Sequence, residues 1–181
     1  MPTRTACARL RVGAGIASQM PMNAIEMLTE QHREMEAAFK AVMSATPEDR
    51  AHLFEQAADT LMSHITVEEQ HFYPAVKAKK TEDILLESLE EHLSLKRVLA
   101  DLVALAPTDA HFEPKLHVLK EQAEHHHKEE EEHLFPKVKK LLDEEELEAL
   151  GERMRTAQLA LLANAPRKQV AQQTDEAATL R

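Results

Sequence analysis

The sequence predicts an all-α protein, an up-down-up-down antiparallel four-helix bundle made from a duplicated helical hairpin, with a fifth C-terminal amphipathic helix. Three observations support this prediction. The 181 residues include 3 glycines, 8 prolines and no tryptophan, and residues that favour helices dominate. Apolar residues recur at helical spacing between the two ends of the chain. The segment "HITVEEQHFYPAV", which begins at His64, returns 62 positions later as "HHKEEEEHLFPKV".

Each predicted helix has a recognisable beginning or end. Thr46 and Pro47, followed by two acidic residues, supply an N-cap and a favourable first turn for the second helix. Asp109 is the expected cap of the fourth helix. The loops are short, which forces neighbouring helices to run antiparallel. The predicted helices cover residues 23–45, 47–79, 81–106, 110–142 and 143–162.

The two ends of the chain differ from the middle. We expect residues 1–22 to be a disordered N-terminal arm or an over-extended start, residues 23–163 to be the bundle, and residues 164–181 to be a flexible tail without helical periodicity. The fifth helix, by contrast, has a clear apolar face formed by Leu147, Leu150, Met154 and Leu161.

Charge and composition exclude several function classes. A formal net charge of -10 argues against nucleic acid or an anionic membrane as partner, because both require a basic surface. No apolar segment approaches the ~18 residues that span a bilayer. The one cysteine, Cys7, excludes an internal disulfide and fits a reducing compartment. We therefore expect a cytoplasmic protein.

The apolar stripes of the first four helices are interrupted at one level by polar side chains. The second and fourth helices each add a glutamate one turn after the histidine. Neighbouring side chains of the fourth helix, including His125, His127, Glu129 and Glu131, are predicted to lie mostly at the surface. The inward polar residues are His32, His64, Glu68, His92, His126 and Glu130.

A metal centre accounts for these inward residues better than a packed core does. A buried carboxylate costs several kcal/mol unless a charge compensates it, and two carboxylates facing each other repel. Divalent cations remove that cost, and neutral imidazoles complete the ligand shell. A metal-free network of histidine and glutamate is the alternative. Two carboxylates that can bridge suit a dinuclear centre, and the ligand types alone admit iron, zinc or manganese.

A rival pattern uses the same letters. Glu68 with His71, and Glu130 with His133, match the E-x-x-H of ferritin-like di-iron bundles. That fold also needs a long crossover and further glutamates, whereas the loops here are short. His71 and His133 are therefore interpreted as residues at the bundle end or around the ligands.

The motif set resembles the hemerythrin-like, HHE cation-binding domains. The resemblance rests on His32, His64-x-x-x-Glu68, His92 and His126-x-x-x-Glu130, and on "HFYP", "HLFP" and "LGERM". It implies two non-heme, carboxylate-bridged iron ions in a four-helix bundle. By analogy His32 and His64 would hold one iron, His92 and His126 the other, and Glu68 and Glu130 would bridge them.

Two departures from the oxygen-carrying hemerythrins matter. Those proteins have a second histidine one turn after the third-helix ligand, where this chain has Lys96, and an H-x-x-x-x-D on the fourth helix, where only Glu131 has that spacing. Simple reversible oxygen carriage is therefore not expected. Lys96 is expected to pair with a carboxylate, and Glu36 is a candidate supplementary ligand.

The resemblance implies a di-iron protein that reacts with or senses O2, NO or peroxide, or that buffers iron. The alternatives are a peroxide-decomposing, catalase-like di-iron enzyme and a structural bundle held by zinc. No organic substrate is indicated, and a sensing output would require an unidentified protein partner.

Overall fold

The computed structural model describes residues 22–180, so the prediction for residues 1–21 lies outside the described residues. Five long helices follow one another. Helix α1 is Ala24–Ser44, α3 is Glu82–Val103 and α5 is Glu144–Leu162. Helix α2 comprises Pro47–Val67, a π-helical turn Glu68–Phe72 and a last turn Tyr73–Val76. Helix α4 comprises Phe112–Glu129, a π-helical turn Glu130–Leu134 and Phe135–Val138.

Helix beginnings follow from local hydrogen bonds. Asn23 caps α1 by accepting a bond from the Glu26 amide at 2.9 Å, and Glu26 accepts one from the Asn23 amide in return. Thr46 caps α2 as predicted. The prediction that Asp109 caps α4 is wrong. Its carboxylate accepts from the His111 amide at 2.8 Å within the preceding turn, and α4 begins at Phe112.

The π-helical turns begin at the two inward glutamates and end just before a proline. The Tyr73 amide donates to the carbonyl of Glu68, and the Phe135 amide to that of Glu130, five residues back in each case. Pro74 and Pro136 have no N–H, and each ring would clash with the carbonyl four residues earlier. A wider turn relieves that clash, so the helix continues where an α-helix would break.

The predicted all-α, up-down-up-down bundle is confirmed. Helices α1 and α2 form one hairpin and α3 and α4 the other, and α1 also packs against α4 as α2 does against α3. Helix α5 covers α1 and α2, with Leu147, Leu150 and Met154 buried as predicted. Over residues 22–180 the helices are all too short or too polar to cross a membrane.

Part of the predicted flexible tail is packed onto the bundle instead. Pro166–Gln173 form a 3-10 helix against α2 and α3, with Val170 buried in the core. Arg167 pairs with Glu55 and Asp59 of α2. The residues of this segment lack helical periodicity because a single apolar anchor and a few ion pairs hold it.

The core consists of two apolar clusters with a polar layer between them. One cluster contains Met35, Phe39 and Leu61 together with inward residues of α3 and α4. The other contains Leu28, Phe72 and Tyr73 with the opposite ends of the same helices. The buried histidines and glutamates separate the two, so the layer is shielded from solvent by apolar side chains at both ends.

Candidate metal centre

The structure brings all six predicted side chains together in this polar layer. Each is at most 1% exposed. The Nε2 atoms of His64 and His92 lie 3.3 and 3.2 Å from Oε2 of Glu68. The Nε2 atoms of His32 and His126 lie 3.4 and 3.7 Å from Oε2 of Glu130. Two carboxylates therefore sit at the middle of a ring of four imidazoles.

The side chains divide into two halves that share Glu68. His32 and His64, with both glutamates, offer ligand atoms that all lie within 4.8 Å of one another, and so do His92 and His126 with Glu68. The Nε2 atoms of His92 and His126 are 3.0 Å apart. Two nitrogens bound at right angles to one ion at about 2.1 Å would be about 3 Å apart. The second half is therefore spaced like a pair of ligands to one cation.

Each of the four histidines is oriented from outside by an acceptor on Nδ1. His32 donates to Glu131 at 2.8 Å and His92 to Glu69 at 3.1 Å. His64 and His126 have corresponding bonds to Gln31 at 2.8 Å and Glu91 at 2.7 Å. A proton held on Nδ1 leaves the Nε2 lone pair facing inward, as metal-binding histidines require.

The acceptors are themselves fixed by further contacts. Lys96 donates to both oxygens of Glu69 at 2.7 and 2.8 Å, which agrees with the prediction that it pairs with a carboxylate. Arg33 donates to Glu131. The Gln31 amide donates to Gln158 of α5 at 3.0 Å, which turns its oxygen toward His64.

Sequence reasoning missed these acceptors, although the repeat contains a signal for them. Gln31 and Glu91 immediately precede the histidines of α1 and α3, and Glu69 and Glu131 immediately follow the inward glutamates of α2 and α4. Each bond joins neighbouring helices, so the repeat places equivalent bonds in both halves. The matched positions in the two halves were therefore visible, but their cross-helix partners were not.

Burial and neighbouring charges shift the pKa values within the layer. Burial, with the Glu130 charge, raises the pKa of Glu68 well above its usual range. Burial also acts to raise the pKa of Glu130, but His126, His32 and His92 outweigh it and lower that pKa. Burial lowers the pKa of His64 well below its usual range. The imidazole is thus favoured in its neutral, metal-binding form.

Buried polar atoms without partners test whether the residues fit a cation. Among residues 22–180, Nε2 of His32 and of His64, both oxygens of Glu68 and Oε2 of Glu130 are buried and receive no hydrogen bond. Such atoms are costly in a folded protein unless something satisfies them. They are nitrogen and carboxylate donors that converge from four helices, so the residues fit bound cations.

Comparison with known proteins agrees with this geometry. The family model described as hemerythrin HHE cation binding domain matches residues 23–138. The chain belongs to this hemerythrin HHE family. A solved structure of a hemerythrin HHE cation-binding domain-containing protein from Mycobacterium kansasii is similar, with a TM-score of 0.70 and 26% identity over 81% of this chain and 91% of that chain. No curated protein shows a significant match.

Two buried side chains extend this HHE layer beyond the predicted set. His127 was expected near the surface, but it is 5% exposed and stacks on His32, because the side of α4 on which it lies packs against α1. The Tyr73 hydroxyl donates to Oε1 of Glu130 at 3.0 Å and lies 3.2 Å from Nε2 of His92. Burial raises the pKa of Tyr73, so the hydroxyl keeps its proton.

Other candidates lie outside the HHE layer. His133 is exposed and pairs with Glu129, and Glu36 pairs with Lys40 at the surface. His71 is partly exposed. None of these belongs to a cluster of candidate metal ligands within residues 22–180. The ferritin-like alternative and the supplementary role of Glu36 therefore have no support from this geometry.

Proposed function

We propose that the chain is a non-heme di-iron protein whose centre reacts with or senses small oxidants, namely O2, NO or peroxide. The observation that supports this most directly is the convergence of unpartnered nitrogen and carboxylate atoms in a layer whose histidines are all oriented from outside. His32 and His64 would hold one iron and His92 and His126 the other. Glu68 and Glu130 would bridge them.

Bound iron would supply redox chemistry and coordination positions for a small molecule. The chain's own residues determine the surroundings. The two apolar clusters restrict water at both ends of the layer. Tyr73 holds a proton at the edge of the centre through its bond to Glu130. No apolar pocket adjoins the six inward side chains that would suit an organic substrate among the cavities described, which favours a small reactant.

Peroxide disproportionation is the alternative activity, and Tyr73 is the observation that favours it. A buried hydroxyl that keeps its proton beside the bridging carboxylate can donate a hydrogen bond to a peroxide oxygen. Iron buffering and zinc-supported structure are the other outcomes. A sensing role would pass through a protein partner, and we infer a cytoplasmic location from the reducing compartment that a lone cysteine suits.

The test compares iron-loaded and zinc-loaded protein prepared without oxygen. Iron-loaded protein should change its near-ultraviolet and visible spectrum when O2, NO or peroxide is added, and its peroxide consumption should show whether it turns over. Zinc-loaded protein and an iron-treated His64→Ala variant should show neither. An iron-loaded wild-type protein that stays unchanged with every reagent would contradict a reactive centre and leave iron storage or structure.

A further inference from the structure

His127 breaks the symmetry of the duplicated bundle. Its counterpart in the first half, 62 positions earlier, is Ile65, which is fully buried. His127 is also buried, and its Nε2 has no hydrogen-bond partner among residues 22–180. A polar side chain thus occupies a position where the other half has an aliphatic one, and the cost of burying it has no compensation within the described chain.

Ring geometry argues against His127 as a metal ligand beside His32. The two rings are stacked, with centroids 4.0 Å apart and planes 6° from parallel. An imidazole binds a metal through a lone pair that lies in the ring plane. An ion in the plane of His32 therefore lies outside the plane of His127, even though candidate ligand atoms of His32, His64 and His127 lie within 4.8 Å of one another.

A surface cavity of about 390 Å³ reaches this side of the centre. His32 and His127 are its buried lining residues and form its floor. The acids on its walls are paired with cations: Glu131 with Arg33, Glu36 with Lys40, and Glu124 with Lys120. A small neutral molecule or anion can therefore approach the floor without meeting an uncompensated row of carboxylates.

We propose that His127 is a ligand-recognition residue on the His32–His64 side of the centre. Its Nε2–H donates a hydrogen bond to a small acceptor that arrives through this cavity, such as an anion or peroxide. The inference rests on the proposed function, because the molecule it recognises is one that the di-iron centre would bind. His127 then assigns the exogenous ligand to one half of the centre.

The experiment measures azide binding to the iron-loaded full chain by optical titration. His127→Ile, which copies the counterpart residue of the first half, should weaken azide binding by about tenfold, the effect of one lost hydrogen bond. His127→Gln retains an N–H donor and should keep most of the affinity. His125→Ala is the matched control, because His125 is the adjacent, exposed histidine and should bind azide as wild type does.

Iron content, measured on the same samples, separates the outcomes. Wild-type iron content with weakened azide binding in His127→Ile alone would support the inference. Unchanged azide affinity in that variant would overturn it, and so would a loss of iron, which would make His127 a metal ligand. Wild-type protein that takes up no iron would overturn the proposed function and this inference together.

Discussion

At the scale of single residues, the histidines are set by partners adjacent in sequence to the inward residues of neighbouring helices. Each inward-facing Nε2 depends on an acceptor that holds the proton on Nδ1. In one case that acceptor is an amide, Gln31, and in the equivalent position of the other half it is a carboxylate, Glu91. Charge on the acceptor is therefore not essential, whereas the acceptor oxygen is.

This difference predicts unequal effects of two substitutions at Glu91. Glu91→Leu removes the acceptor from His126 and should lower iron affinity by about 10- to 100-fold. Glu91→Gln keeps an oxygen in the arrangement that Gln31 already provides for His64, so its affinity should stay much closer to wild type. Competition with an iron chelator measures both. Equal losses in the two variants would show that charge, and not orientation, matters at this position.

The buried histidines also predict how the stability of metal-free protein depends on pH. Burial lowers the pKa values of His64, His92 and His127, while the unfolded chain binds protons at these residues below about pH 6.5. The unfolded state then holds more protons, so the free energy of unfolding should fall as pH drops below about 6.5. His126, whose pKa is raised, opposes this in part.

Urea unfolding of metal-free protein at several pH values tests this expectation. The loss should begin before the carboxylates contribute, because Glu69, Glu91 and Glu131 have lowered pKa values and their stabilisation is lost only below about pH 4.5. His64→Leu should flatten the decline above that pH. A stability that stays constant between about pH 7 and 5 would contradict the neutral, buried histidines.

At the scale of helices, periodicity predicted the positions of the stripes but not their local irregularities. The inward residues of α1 to α4 were assigned from three- and four-residue spacing alone, and all are buried. The π-helical turns were not predicted, because proline usually signals a helix end. Burial of His127 was also missed, since the angle on one helix does not say which neighbour covers it.

The contact between α5 and the beginning of α1 depends on Gly151. A Cβ there would lie 2.5 Å from the carbonyl oxygen of Met22 and 2.9 Å from the Ala24 amide nitrogen, both backbone atoms. Gly151→Ala should therefore cost about 1–3 kcal/mol of unfolding free energy, although alanine is the better helix former.

Ala149→Gly serves as the control for Gly151→Ala, because Ala149 is exposed on the same helix. It should cost about 1 kcal/mol through helix propensity alone. Chemical denaturation measures both variants. Stabilisation by Gly151→Ala would mean that α5 does not approach α1 as closely as the structure shows.

At the scale of the whole molecule, the duplicated hairpin explains why the sequence predicted so much of the centre. One inward histidine and glutamate pattern, repeated 62 residues later, fixed two helices at once, and the offset of 60 between His32 and His92 fixed the other two. The asymmetric residues could not be predicted in this way. His127 and Tyr73 stand opposite Ile65 and Phe135 of the repeat, and only the packed bundle shows what they contact.

Because the candidate ligands come from all four bundle helices, bound metal should stabilise the whole fold. A ligand that binds only the native state adds about 2.7 kcal/mol when its free concentration is 100 times its Kd. Anaerobic iron(II) should therefore raise the thermal midpoint of the wild-type chain, and His64→Ala should reduce that rise. An equal rise in both would place the metal away from the buried layer.

The most direct test of the central claim is the number of irons bound per chain after anaerobic loading and removal of loose metal. Wild type and His133→Ala, which alters an exposed histidine, should both hold two. His64→Ala and His126→Ala, which alter one half each, should hold fewer. Two irons in wild type with losses confined to the buried variants is the predicted result. Full iron content in His64→Ala and His126→Ala, or none in wild type, would contradict a di-iron centre built from these side chains.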